Sequence, residues 1–499
     1  MLKTSVRIFI AIAAIAGSVF LDEPLSGGEL YVGAATVSIT PDRPVPLFGG
    51  RTIPIARRIG SPCTATALVI ETRNGETSLE TALFVSCDLV WIRGGAEKDL
   101  YELVRDQLRG RVPEILLDRL ILNATHTHSA PPPNDINFNQ YRLPDDAGDD
   151  VMLPAEYREF LVERLAKIVE EAWIQRAPAQ VAWGLGHAVV AQNRRVVFAD
   201  GSAVMYGNTS QPHFRAIEGY EDHGLEILYF WDRDDKLIAT AINIACPAQA
   251  GGVGGVNADL WHPVREMLRE RHGEDLFVIA WIGASGDMTP RPLYRKAAEE
   301  RMQKLRKLNA SQEAARRIVT AWEDVYQVIR NEKKKDVELE FRSTTVSLPH
   351  RQITSKEGDA ARKLVARLKD SNKPTEVWDR ARAERTIRRY EEQQQKGSGS
   401  YEMPLRTVRL GDIAIVTNDV ELFTDFGVQM KARSPALQTF VIQLCGGGTY
   451  LPTKRAVSGG GYSAIPESNI VGPEGGQVLV DESVKLIKSL WPSEKNKNP

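Results

Sequence analysis

The chain has 499 residues, a hydrophobic fraction of 42% and a formal net charge of −2 at pH 7. This length allows two or three average domains, or one large α/β enzyme domain with insertions, and the apolar content is sufficient for a large core. The near-neutral charge argues against a general nucleic-acid or polyanion binder.

Residues 1–28, approximately, are typical of a secretory signal peptide. Lys3 and Arg7 form a positive start, residues 8–21 form an apolar run, and a polar, glycine-containing segment follows. A membrane anchor is the alternative, but the run is shorter than the ~20 residues that a spanning helix needs. We therefore expect a secreted or periplasmic protein without a transmembrane segment after removal of the signal.

Residues 29–490 predict one catalytic domain of the α/β class, with mixed β-sheets layered with helices. Apolar, β-rich runs predict strands at 64–72, 81–92, 118–126, 179–190, 224–232, 237–247, 276–287, 405–417 and 439–447. Amphipathic spacing predicts helices at 94–110, 156–175, 261–273 and 481–491. Residues from about 294 to 400 are rich in charge with a thin apolar stripe, which predicts a helical insertion packed on one face.

Most candidate polar residues follow the ends of predicted strands, where α/β proteins place ligand sites. His126 and His128 in "NATHTHSAP" lie two residues apart, so in an extended chain they point the same way and can present two imidazoles to one metal ion. A pair of hydrogen-bonding surface histidines is the alternative interpretation. Cys246 ends another strand before Pro247, and from the residues alone a buried apolar cysteine is the simpler interpretation.

The remaining candidates lie in turns and loops. The turn "GASGDMTP", with Asp287 and Thr289, exposes backbone N–H groups that can hold an oxyanion, and an ordinary turn is the alternative. Arg194 and Arg195 in "QNRR" follow a strand, and one of them can clamp a carboxylate or polarise a carbonyl, with surface charge as the alternative. Glu421 follows the strand "DIAIV". The glycine-rich loop that holds Tyr450 and Tyr462 suggests a close approach of backbone to a ligand.

Together these stretches resemble the catalytic N-terminal domain of the neutral/alkaline non-lysosomal ceramidases. The distinctive pieces are "NATHTHSAP", "QNRR", "NADLWHPVREML", "GASGDMTP", and "YLPT" followed by "GGGY". The resemblance is distributed from "VGAATVSITP" to the final helix, and we expect the family's C-terminal immunoglobulin-like domain to be absent. It implies a zinc amidase that cleaves an N-acyl amide bond of a ceramide-type lipid.

The resemblance also implies roles for individual residues. In the family, zinc is held by the first histidine of H-T-H, a histidine before a proline, a glutamate and a tyrosine. Carried over to this sequence, the implied Zn²⁺ ligands are His126, Cys246, Glu421 and Tyr450. The implied catalytic residues are His128, Arg194 and Tyr462.

Two positions depart from the family pattern. Cys246 stands where the family has histidine, and although thiolate is a good zinc ligand, thiolate and carboxylate together would cancel the charge of Zn²⁺ and weaken it as a Lewis acid. Alternatively Cys246 is not a ligand, and the site keeps three ligands or borrows His262. Thr289 stands where the family has serine, which changes the pocket more than the chemistry.

Two further functions stay open from the sequence. The same fold can act on a sugar or another polar substrate by paired carboxylates, without a metal. The candidates for such a pair are Asp88, Asp259, Asp287 and Glu421. A catalytically inactive binding protein is supported by the changed residue at Cys246 alone. The expected partner is therefore a small-molecule or lipid substrate, and the oligomeric state is not predicted.

Overall fold

The computed structural model describes residues 27–92, 98–134, 143 and 147–491. The predicted signal peptide falls almost entirely on residues 1–26, outside the described residues. Within the described ranges, no helix combines the length and apolar character needed to cross a bilayer.

Strands and helices alternate through the described chain. The strands are β1 (Gly28–Ser38), β2 (Val45–Pro46), β3 (Ile55–Ala56), β4 (Thr64–Asn74), β5 (Thr77–Cys87), β6 (Leu120–Ala124), β7 (Ala177–His187), β8 (Gln192–Asn193), β9 (Arg195–Phe198), β10 (Ala203–Met205), β11 (Phe214–Ile217), β12 (Gly224–Asp232), β13 (Leu237–Ile244), β14 (Phe277–Ile282), β15 (Met288–Thr289), β16 (Asp336–Val337), β17 (Leu339–Pro349), β18 (Ser400–Leu410), β19 (Ile413–Thr417), β20 (Glu421–Leu422), β21 (Gln438–Ile442) and β22 (Tyr450–Leu451). The helices are α1 (Leu100–Leu108), α2 (Glu114–Asp118), α3 (Pro154–Ile174), α4 (Trp261–His272), α5 (Lys296–Arg306), α6 (Ala310–Ile329), α7 (Ser355–Leu368), α8 (Pro374–Lys396), α9 (Thr424–Arg433), α10 (Lys454–Gly459) and α11 (Pro473–Lys488).

Two mixed sheets form the centre of the molecule. The larger sheet has nine strands in the order β14-β13-β12-β7-β1-β4-β5-β6, with β16 also paired to β1. Its strands are antiparallel except for the parallel pairs β13–β14 and β5–β6. The smaller sheet has the order β17-β18-β19-β21, with β19 and β21 parallel.

The elements stack in four layers, because each sheet buries both of its faces. One face of the large sheet packs on the small sheet through an apolar cluster that includes Phe84, Phe341 and Phe440. Helices α1 and α3 cover one half of its other face, and α4 and α6 cover the other half. Helices α9 and α11 cover the outer face of the small sheet. The predicted α/β class with mixed sheets layered with helices is confirmed.

The predicted helical insertion at 294–400 is only partly helical. It contains α5, α6, α7 and α8, as expected, but also β16 and β17, which belong to the two central sheets. Helix α6 is part of the core: the side chain of Trp322 is fully buried, and its Nε1 donates to Thr240 Oγ1 of β13 at 3.0 Å. The charged neighbours masked the short apolar alternation of β17, in which Leu339, Phe341 and Leu348 are buried.

Candidate functional site

The candidate site lies where strand ends of both sheets meet at one edge. Strand β6 of the large sheet leads directly into His126 and His128, and β19 of the small sheet leads towards Glu421. The backbone N–H of Ala124 donates to the carbonyl of Leu444 at 3.2 Å, which joins the end of β6 to the segment after β21. The structure therefore brings together polar residues that are almost 300 positions apart in sequence.

His126 is held in one orientation by its surroundings. Its ring Nδ1 lies 2.7 Å from the carbonyl oxygen of Val90, so Nδ1 carries the ring proton, and Nε2 lies 3.3 Å from Glu421 Oε2. The side chain is buried, and the backbone has φ 62°, a left-handed conformation that is uncommon for a residue other than glycine. Such strain costs roughly 1–3 kcal/mol and concentrates at functional sites.

Glu421 and Tyr450 are neighbours across a short parallel strand pair. They face each other in β20 and β22, and the Tyr450 side chain is hydrogen-bonded to Glu421. Burial alone would raise the pKa of Glu421, but the charges of His126 and Arg194 and these hydrogen bonds lower it below its usual value. Burial and the Glu421 charge raise the pKa of Tyr450 well above the usual phenol value. The site thus contains an ionised carboxylate beside a neutral phenol.

His128 lies beside His126 with its ring nearly perpendicular to that of His126. The two Nε2 atoms are 3.5 Å apart, and the side-chain Nε2 of Gln249 lies 2.9 Å from Nε2 of His128. An amide N–H donor at this distance makes His128 Nε2 an acceptor. Burial, followed by electrostatic interactions with His126, Arg194 and Arg291, lowers the pKa of His128 well below 6.5. His128 is therefore a neutral base, and Gln249 is a site residue that the sequence reasoning missed.

Arg194 lies between two tyrosines. Its terminal nitrogens donate to Tyr450 Oη at 3.2 Å, Tyr206 Oη at 3.3 Å and the carbonyl of Gly286 at 2.8 Å. The nearby tyrosines and Glu421 outweigh burial and raise its pKa, so the guanidinium stays charged. Tyr206 was not predicted. Its φ of 58° is left-handed, its hydroxyl lies 3.4 Å from Thr289 Oγ1, and the positive charge of Arg194 lowers its pKa despite burial.

Arg195, the next residue, organises the loop that carries Tyr462. Its fully buried guanidinium pairs with Glu218 at 2.5 Å and donates to the carbonyls of Ala456, Gly460 and Tyr462 at 2.7–3.1 Å. The residue types alone did not distinguish the two arginines of "QNRR", and the family resemblance selected Arg194. The structure places Arg194 in the site and gives Arg195 a structural role beside it.

Helix α8 of the charged segment packs against the same loop. The Trp378 ring stacks with the Tyr462 ring at 6.2 Å, and the Arg382 guanidinium lies over both rings. Arg382 also donates to Ser468 Oγ at 2.7 Å. The Tyr462 ring is 5.6 Å from that of Tyr450, so α8 contributes to the wall of the site.

Cys246 does not join this group. Its thiol is fully buried in the apolar cluster beneath α4 and α6, and it donates to the carbonyl of Pro247 at 3.5 Å. Burial raises the pKa of the thiol far above its usual value, which disfavours the thiolate that binds metals. Across the described ranges, no three His, Cys, Asp or Glu side chains form a group that could hold a metal ion, so Cys246 forms none with His126 and Glu421. The geometry favours the simpler interpretation of a buried cysteine.

His262 does not replace the missing histidine. It lies half-buried on α4. Burial is the main reason why its pKa is lowered, and the nearby charges of Glu266, Arg265 and Asp88 contribute less. Within the described ranges, His262 forms no potential metal-binding group with His126 and Glu421. Of the two alternatives for a site without Cys246, the one with three ligands agrees better with the contacts.

Three of the four carboxylates considered for a glycosidase are committed to internal hydrogen bonds. Asp88 accepts two hydrogen bonds from Arg265 at 2.6 and 3.1 Å, and Asp259 accepts three from backbone N–H groups at 2.7–2.9 Å. Asp287 accepts from Asn193 Nδ2 at 2.6 Å, and burial raises its pKa to about 6. These contacts support folding and leave Glu421 without a carboxylate partner for acid–base catalysis.

The donor chemistry of His126, Glu421 and Tyr450 fits a divalent metal ion. When Glu421 is ionised and Nδ1 of His126 carries the ring proton, two lone pairs face each other across 3.3 Å. A cation, either a proton or a metal ion, must lie between them to make the arrangement favourable. Imidazole nitrogen, carboxylate oxygen and phenol oxygen suit a borderline cation such as Zn²⁺.

Two solved structures share this fold. The structure of a neutral ceramidase from Pseudomonas aeruginosa aligns with a TM-score of 0.63 at 16% identity, over 93% of this chain and 75% of that chain. A ceramidase complexed with C2 aligns with a TM-score of 0.62 at 14% identity, over 92% and 76% of the two chains. No family model and no curated protein sequence matches the chain. The chain thus has the fold of neutral ceramidases, and the resemblance seen in the sequence is confirmed at the level of fold.

Proposed function

We propose that this protein is an exported, zinc-dependent amide hydrolase that cleaves the N-acyl bond of a ceramide-type lipid. The observation that carries the proposal is the convergence of His126, Glu421 and Tyr450, with His128 and Arg194 beside them. The fold shared with two ceramidase structures supports the same class of reaction.

His126, Glu421 and Tyr450 are the residues that would hold the metal ion. Bound there, Zn²⁺ supplies Lewis acidity that polarises the scissile carbonyl and lowers the pKa of a nearby water. The contact between Nδ1 of His126 and the carbonyl of Val90 fixes the tautomer that leaves Nε2 free as a ligand. Cys246 contributes no ligand in this proposal.

Arg194 and Tyr462 stabilise the negative charge that develops on the carbonyl oxygen. Arg194 remains charged because the neighbouring tyrosines and Glu421 raise its pKa. Fixed donors of this kind stabilise an oxyanion because they are already oriented before the charge develops. Arg195 and α8 keep Tyr462 in place, since both contact its loop.

His128 moves the proton. As a neutral base it accepts a proton from the attacking water through Nε2, while a C–O bond forms at the carbonyl carbon. It then delivers that proton to the leaving nitrogen as the C–N bond breaks. Gln249 Nε2 lies 2.9 Å from Nε2 of His128 and holds the ring before the reaction. This hydrogen bond must give way when Nε2 of His128 takes the proton, and the side-chain oxygen of Gln249 can then accept from the protonated Nε2.

The test combines zinc content with turnover in three proteins. Wild type should contain about one zinc ion per chain and release fatty acid from a short-chain ceramide. His126→Ala should lose both properties. His262→Ala is the matched control, because it removes a half-buried histidine from α4, and it should keep both. Wild-type protein without stoichiometric metal, or a metal content unaffected by His126→Ala, would contradict the zinc assignment.

Chelation separates this mechanism from one that uses paired carboxylates. We expect thorough treatment with EDTA to abolish activity and added Zn²⁺ to restore it. Activity that survives chelation would favour a metal-free carboxylate mechanism on a sugar or other polar substrate. Export is tested by the N-terminal sequence of the protein recovered outside the cytoplasm, which should lack approximately the first 28 residues.

A further inference from the structure

Three arginines at the site have no ion-pair partner among the described residues. Arg194 donates to neutral oxygens, Arg382 donates to a backbone carbonyl and a serine hydroxyl, and Arg291 donates to the carbonyl of Gln249 at 3.1 Å. Burying a guanidinium without a counter-charge is unfavourable, and this applies to Arg194 and Arg382, whereas Arg291 is exposed. This excess of positive charge near the site suggests that the substrate carries a negatively charged group.

Two of the three arginines already have a role. Arg194 stabilises the oxyanion in the proposed reaction. Arg382 lies over the rings of Trp378 and Tyr462 and holds the loop that carries Tyr462. Arg291 makes one structural hydrogen bond, to the Gln249 carbonyl, and has no role in the proposed reaction.

The backbone around Arg291 is restrained on both sides. Arg291 lies between Pro290 and Pro292, which restrict the backbone on both sides. Its N–H donates to Thr289 Oγ1 at 3.1 Å, and its carbonyl accepts from Gln192 Nε2 at 3.0 Å.

The end of this side chain is free to bind a ligand. Nε of Arg291 is already used by the Gln249 carbonyl, whereas its two terminal nitrogens have no acceptor among the described residues. The residue is exposed, so the terminal fork is accessible. Asp259, the carboxylate in the same region, uses both oxygens for backbone N–H groups and makes no ion pair with Arg291 among the described residues.

Gln249 places Arg291 on the leaving-group side of the reaction. The side chain of Gln249 contacts Nε2 of His128, and its backbone carbonyl accepts from Arg291. His128 is the residue that gives a proton to the leaving nitrogen in the proposed mechanism. A group bound by Arg291 therefore belongs to the amine half of the substrate.

We propose that the preferred substrate carries a carboxylate on its amine half, as in an N-acyl amino acid, and that Arg291 binds this carboxylate through its terminal fork. This inference rests on the proposed amide hydrolase function and changes its preferred substrate: ceramide, which lacks this carboxylate, is then cleaved less efficiently than an N-acyl amino acid. A planar guanidinium matches a carboxylate with two parallel hydrogen bonds. Water adds to the acyl carbon, the C–N bond breaks, and the products are a fatty acid and an amino acid.

The test compares two substrates that differ in one group. N-dodecanoylglycine and N-dodecanoylethanolamine have the same acyl chain, but one ends in a carboxylate and the other in a hydroxymethyl group. Wild type should show a kcat/KM about 10- to 100-fold higher for the glycine conjugate, as expected for a charge-assisted pair. Arg291→Gln should reduce this ratio to near one, mainly through KM, and Arg291→Lys should retain part of it.

Arg295→Gln is the matched control, because it removes an exposed positive charge from the same loop without touching Gln249. It should leave the substrate ratio unchanged. A wild-type ratio near one, or a ratio that survives Arg291→Gln, overturns the inference while hydrolysis of short-chain ceramide keeps the proposed function. Failure to cleave ceramide and both conjugates overturns the proposed function, and this inference with it.

Discussion

Gln249→Met should slow the proposed reaction without weakening substrate binding. The side chain of Gln249 is 8% exposed, and its Nε2 lies 2.9 Å from Nε2 of His128. His126 cannot replace this donor, because its ring proton is on Nδ1, facing Val90. Without the amide, the His128 ring is free to turn and to exchange tautomers.

The magnitude follows from the loss of one donor to a half-buried acceptor. An unsatisfied acceptor of this kind costs about 1–2 kcal/mol, since water can replace part of the bond where His128 retains exposed surface. If the loss falls on the proton-transfer step, kcat decreases roughly 5- to 30-fold while KM changes little.

The assay is fatty-acid release from a short-chain ceramide, with kcat and KM measured for each variant. Gln180→Met is the matched control, because Gln180 is 7% exposed and its amide hydrogen bonds go to Asp232 and Asp235, in the turn after β12. It should lose stability but keep kcat. A Gln249→Met enzyme whose kcat stays within about twofold of wild type would refute the positioning role.

Three predictions concern stability, measured by urea unfolding. Arg195→Met should lower the free energy of unfolding by about 3–5 kcal/mol, because it leaves the buried Glu218 carboxylate unpaired; an unchanged value would contradict this. Arg265→Met should cost a similar amount, and a second change, Asp88→Asn, should recover part of it. Burial raises the pKa of Asp287 to about 6, above its unfolded value of about 3.9. Its contribution therefore favours folding below about pH 4 and is lost as the pH rises through 6. Asp287→Asn should remove roughly 3 kcal/mol of the pH dependence of the free energy of unfolding in that window.

The parts of the site that the sequence predicts are those with strong local patterns. His126 and His128 were found because they alternate at a strand end, and the structure places them there. Glu421 after a strand and Tyr450 in a glycine-rich loop were candidates from the residues, the family resemblance implied their roles, and they are paired across β20 and β22. The layered sheets followed from apolar periodicity, which is a property of short segments and needs no knowledge of distant contacts.

The parts that were missed depend on contacts between distant segments. Gln249 is an ordinary residue after a strand, and only the approach of that strand end to β6 brings it to His128. Tyr206 enters the site through a left-handed backbone conformation that its sequence does not signal, since glycine is the usual residue there. The two arginines of "QNRR" are adjacent and chemically identical, so only their partners separate the proposed oxyanion role of Arg194 from the loop support that Arg195 gives.

A proposed metal site without Cys246 differs in its expected properties from one that includes it. A thiolate together with the Glu421 carboxylate would have cancelled the charge of Zn²⁺, and the resulting neutral centre would be a weak Lewis acid. In the proposed site His126 would supply imidazole, Glu421 a carboxylate and Tyr450 its phenol, so bound Zn²⁺ would keep a net positive charge, and the Arg194 guanidinium would add to it. Because one protein ligand fewer holds the ion, affinity for zinc should fall while its polarising power is retained. In the proposed site, cysteine in place of histidine at position 246 should therefore weaken zinc binding but still allow the hydrolysis to proceed.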